Sequence, residues 1–118
     1  MMRKVEKQMV AAIQQRKSRS MGNTLVSAEG NAVKVYLHGN LIAYLQETPA
    51  GWAGAVTFAG WPTRTTASRI NAVLNGIGST IGVGLNKGEP EARLPYRTGK
   101  IHTMPCTDQE WLTVGTEI

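Results

Sequence analysis

The chain predicts an α+β fold: a twisted antiparallel β-sheet built as a meander, one central helix packed on a face, and an amphipathic basic helix at the N-terminus. Three observations carry this expectation. Between residues 24 and 58 apolar side chains alternate at the two-residue period of half-buried strands. Between Trp61-Pro62 and Asn75-Gly76 the spacing turns helical, with Ile70, Val73 and Leu74 on one stripe. Thirteen glycines among 118 residues, with few aromatics, favour a turn-rich sheet over a helical bundle. The length suits one α+β domain, expected over residues 23–118, preceded by a basic arm over residues 1–22.

Each element has its own local reason. Over residues 2–17, Val5, Met9, Ala12 and Ile13 share a helical face while the cations and glutamines lie largely elsewhere. The run 18–23 then reads as a flexible linker. The thin apolar stripe can dock on the domain, pair with a second copy to give a homo-oligomer, or lie on a membrane surface. Residues 24–28 predict a strand, 29–31 a hairpin loop, and 32–37 a second strand with Val33, Val35 and Leu37 on one face. Gly39-Asn40 turns the chain into a strand over 41–46, and Thr48-Pro49-Ala50-Gly51 turns it into another over 52–58. Pro62 pushes Trp61 out of the helical region, Thr65 or Thr66 caps the helix that follows, and Asn75-Gly76 stops it. A strand is expected over 79–85, its glycines marking a bulge or a backbone packed close to something. Residues 86–90 read as a loop, 94–96 and 100–104 as short strands, and 111–114 as a terminal packing segment.

Charge is distributed unevenly. Arg3, Lys4, Lys7, Arg16, Lys17 and Arg19 face Glu6 alone within the first 23 residues, and the remainder balances, so the whole net charge of +5 lies at the N-terminus. Such asymmetry points to a polyanionic partner. No apolar run approaches the ~20 residues that span a bilayer, and no apolar signal core follows the first cations. The lone Cys106 leaves no internal disulfide and suits a reducing compartment.

The residues speak against catalysis. Gly82-x-Gly84 lies in a strand-like stretch without the following helix that a phosphate-cradling loop requires. His102, Cys106 and Asp108 fall short of a metal's ligand set, so no metal and no cofactor are expected. His38 reads as a turn histidine, and acidic residues are too sparse for a two-carboxylate centre. What remains is a binding surface. Arg64 and Thr65 stand at a helix start, where free amides favour anions, and Arg69 follows one turn on. With the arm's Arg3, Lys4, Lys7, Arg16, Lys17 and Arg19 these form a candidate phosphate track, and Tyr44, Trp52 and Trp61 are candidate stacking or partner-contact faces.

The blocks Asn23-Thr24-Leu25-Val26, Val35-Tyr36-Leu37-His38-Gly39-Asn40-Leu41-Ile42-Ala43 and the stretch 59–74, which contains Gly60-Trp61-Pro62-Thr63-Arg64-Thr65-Thr66, occur in that order. In them the chain resembles small accessory proteins of tailed bacteriophages that lack an assigned function, from residue 23 to residue 74 and more loosely to 111–114. The resemblance implies a phage protein working in the cytoplasm of a bacterial host, and it implies no enzyme. The leading expectation is a non-catalytic protein that binds a DNA or RNA backbone with weak sequence preference. Six phosphate contacts on duplex DNA would give a log–log salt slope of roughly −5. The rival is a host-takeover or anti-defence inhibitor that docks on an acidic host protein or a nucleoprotein complex.

Overall fold

The computed structural model describes residues 3–95, 101–105 and 109–115. The chain opens with helix α1 (Lys4–Gln15), followed by strands β1 (Arg19–Met21), β2 (Thr24–Glu29), β3 (Ala32–Leu37), β4 (Asn40–Thr48) and β5 (Gly51–Val56). Helix α2 (Arg64–Gly76) comes next, then β6 (Gly82–Asn86), β7 (Glu89–Pro95), β8 (Ile101–Pro105) and β9 (Leu112–Gly115). The first five strands form an antiparallel meander, and β9 returns to pair with β5, so the main sheet runs β1-β2-β3-β4-β5-β9. A second antiparallel sheet of three strands runs β6-β7-β8. The fold class is α+β as expected, with two sheets where one was predicted.

One face of the main sheet makes the core. Val26, Val33, Val35, Leu45, Val56 and Val114 are buried there against Met9, Ile13, Ile70, Val73 and Leu74 from the two helices. Strand β4 departs from strict alternation because the register shifts where β3 meets it. Val35 pairs with Ala43 and Tyr36 with Leu41, so Ile42 is an extra residue. A bulge of this kind turns two successive side chains inward, and Ile42 and Ala43 are both buried.

Several boundaries move for local reasons. The expected linker at 18–23 contains β1, because Ser18 Oγ accepts from the Ala28 amide at 2.9 Å and starts a ladder against β2. Helix α2 begins at Arg64 because Thr63, rather than Thr65 or Thr66, caps it: Thr63 Oγ1 accepts from the Thr66 amide at 3.2 Å. The helix runs to Gly76 and caps at Ile77. The expected loop at 86–90 is a tight turn at Lys87-Gly88, both at positive φ, joining β6 to β7. The tail expectations at Tyr96 and Lys100 fall outside the described residues, as do Cys106 and Asp108.

Two clamps fix the helices. The Asn71 side chain of α2 behaves like a strand edge: its Nδ2 donates to Val83 O and its Oδ1 accepts from the Val83 amide, each at 2.8 Å. That holds β6 on α2. Helix α1 meets α2 closely at Gly76, where a Cβ would stand 3.0 Å from the Val10 side chain.

Candidate nucleic-acid interface

The candidate surface rests on the pairing of α1 with α2. Glu6 reaches Ser68 and Arg69, while eight residues further on Gln14 Nε2 donates to Gly76 O at 3.1 Å. Contacts that advance together along both helices mean that the helices run parallel. Their N-termini therefore lie at the same end of the molecule. Each carries the partial positive charge of unsatisfied amides, so two such ends favour anions together.

A buried polar knot sets this alignment. Arg69 Nη1 donates to Glu6 Oε2 at 2.8 Å and Arg69 Nε donates to Thr24 Oγ1 at 3.1 Å. Ser68 Oγ donates to the same carboxylate, and the Arg3 amide donates to Glu6 Oε1 at 3.1 Å. Glu6, Arg69 and Thr24 are all buried. Burial pushes the Glu6 carboxyl upward, but the bonds from Ser68, the Arg3 amide and Arg69, with the Arg69 charge, outweigh it and hold the group below its ordinary range.

Arg69 is thus not part of an exposed track. Its charge faces Glu6 inside the body, which corrects its expected place among the phosphate contacts. The reason lies in α2 itself: residue 69 falls on the same helical stripe as Ile70 and Val73, and only a carboxylate supplied by α1 makes a cation tolerable there. The apolar face of α1 is likewise occupied. Met9 and Ile13 are fully buried in the common core, so that face is not open for a second copy or a lipid surface.

The remaining cations separate into two groups. Arg3, Lys4 and Lys7 are exposed around the first turns of α1, and Arg64 is exposed on the first turn of α2. The parallel helices place these four at one end. Arg16, Lys17 and Arg19 lie past the other end of α1, about 18 Å along its axis. Arg16 there pairs with Glu47. Thr65 belongs to neither group. It lines a cleft of about 280 Å³ with Leu37, His38, Ile42, Phe58 and Trp61.

The three aromatic candidates do not make one platform. Tyr44 stands on the uncovered face of the main sheet, with Lys34 Nζ 5.8 Å from its ring centre. Trp52 packs against the core side, and Trp61 is 59% exposed beside the cleft before α2. Opposite faces of a sheet cannot present bases to one stack.

One charged residue escaped the sequence reading. Arg93 on β7 lines a groove of about 560 Å³ together with Arg64, Asn75, Gly84 and Glu6. Its signal is indirect: the glycines of β6 point to a close approach, and at Gly84 the group that approaches is the Arg93 guanidinium. Among the described residues, no three His, Cys, Asp or Glu side chains come together as a metal site. Among them, too, no helix is long and apolar enough to cross a membrane.

Fold and site together define a small α+β protein with cations gathered at the shared N-terminal end of two parallel helices. The chain matches the Kyanoviridae Gp96 protein family over residues 2–113 and belongs to that family of phage proteins. The match takes in the basic N-terminal segment, which the bacteriophage resemblance had left outside. Searches of curated proteins and of solved structures found no match.

Proposed function

We propose that this phage protein is a non-catalytic nucleic-acid-binding protein that grips the phosphate backbone with the end formed by the starts of α1 and α2. The observation that carries this reading is the parallel packing of the helices, which brings Arg3, Lys4, Lys7 and Arg64 to the same end as the positive dipole ends of two helices. Cations and helix dipoles at one surface bind phosphates without reading bases, so sequence preference is weak. Four backbone contacts on duplex DNA give a log–log salt slope of about −4. Titrating a labelled duplex across salt concentrations tests this directly, and a flat response removes the reading.

A second reading has its own support. Trp61 is a large exposed aromatic beside an apolar cleft, and such anchors are common at protein interfaces. On that reading the protein is an inhibitor that docks on a host protein. Capture from host lysate treated with nuclease separates the two: partners retained through Trp61 favour the inhibitor, and partners lost with the nucleic acid favour the first reading.

A further inference from the structure

The groove beside α2 is separate from the cationic end, although Arg64 reaches both. We propose that it binds a nucleotide of a single-stranded nucleic acid, with the phosphate on Arg93 and Arg64 and the base toward Asn75. This rests on the nucleic-acid reading above and names the form of strand the groove accepts.

Four features argue for it. First, the groove's volume of about 560 Å³ lies within the range of small-ligand sites, roughly 300–1,000 Å³. A nucleotide fits such a space, whereas the paired and stacked bases of a duplex are not free to turn into it. Second, the missing side chain at Gly84 gives the Arg93 guanidinium room beside the groove. A Cβ at residue 84 would run into its guanidinium, with Nε at 2.7 Å, so glycine there lets the planar head lie across β6. A planar guanidinium is suited to bidentate contact with phosphate.

Third, the two carboxylates near the site leave its arginines accessible. The Glu6 carboxylate, which also lines the groove, is bound to Arg69 and Ser68. Glu91 forms a loose ion pair with Arg93 Nε at 3.9 Å, and the Arg93 side chain stays 47% exposed, open to a second anion. Fourth, the groove is long. Arg64 and Asn75 both line it, and eleven residues along a helix make about 16 Å. That exceeds a lone inorganic phosphate and suits a phosphate with its sugar and base. Asn75 is exposed at the far end and offers a donor and an acceptor to a base edge.

The test uses the full chain, with fluorescence anisotropy on a labelled eight-residue oligothymidylate and on a labelled duplex. Arg93→Gln and Gly84→Ala each weaken oligothymidylate binding about tenfold or more, the loss expected for a charged hydrogen-bonding group, and leave duplex binding unchanged. Thymidine monophosphate and inorganic phosphate compete poorly. If Gly84→Ala fails to fold, Arg93→Gln still decides. Equal oligothymidylate binding by wild type and Arg93→Gln overturns the groove assignment. So does competition by free thymidine monophosphate as strong as by the oligomer, since the site then serves a free nucleotide. If the duplex binds and the oligomer does not, the groove proposal falls while the cationic end stands. If neither binds, both fall.

Discussion

Arg64 and Arg69 sit five residues apart on one helix and occupy opposite environments. Arg69 lies in the seam between α1 and α2, where Glu6, Ser68 and Thr24 close around its charge. Arg64 lies exposed on the first turn, lining the groove it shares with Arg93. The same side-chain type organises the interior in one place and stands in solvent in the other. A cation in a sequence is thus no evidence of a binding surface until its carboxylates have been located. In this chain one glutamate from the basic segment accounts for the difference.

The seam gives the largest expected effect. Glu6→Gln strands the Arg69 guanidinium, which cannot shed its proton, and costs about 3–5 kcal/mol of unfolding free energy. Urea denaturation measures this, and a loss under 1 kcal/mol would show that the knot does not hold the helices. Arg69→Met is expected to cost less at acid pH, because the Glu6 carboxyl left behind can take up a proton and become neutral.

The exposed side of the comparison is probed by charge without changing the core. Changing Arg3, Lys4 and Lys7 together to Gln leaves the urea midpoint nearly unchanged and reduces the salt slope for duplex DNA from about −4 to about −1. Lys17→Gln with Arg19→Gln, at the far end of α1, moves the slope little. Equal effects from the two sets would mean that the cations act as a diffuse cloud and that helix alignment is irrelevant.

Acid sharpens the contrast further. The Glu6 carboxyl is held below its ordinary value near 4.5, so its contribution is complete above that value and disappears as pH falls through the lowered one. The stability gap between wild type and Glu6→Gln should narrow on acidification in that window. A gap independent of pH would show that the carboxylate's charge is not what stabilises the seam. The smallest effect belongs to Trp61→Ala: with the ring 59% exposed, stability shifts by about 0.5 kcal/mol or less in thermal melts.

Much of the fold was legible because local rules and tertiary packing agree. The strands from Thr24 to Val56 follow their alternation and turn residues, and the stripe Ile70, Val73, Leu74 faces the core as its spacing requires. The readings that changed concern contacts between distant residues. Thr63 became the cap because the helix starts directly after Trp61-Pro62, two residues before the first of the expected caps, Thr65 and Thr66. Ile42 became a bulge because two ladders had to stay in register. Arg93 escaped notice because nothing near it in the chain marks it; its place depends on Gly84 across the hairpin.

The sequence by itself determined the α+β class, the amphipathic N-terminal helix and the concentration of charge within the first 23 residues, since these follow from periodicity and composition over short stretches. Only the tertiary structure decided which cations remain outside. Glu6 and Arg69 are 63 positions apart, and no local pattern couples them. Burying both is tolerable solely because each supplies the charge and hydrogen bonds that water would otherwise have given the other.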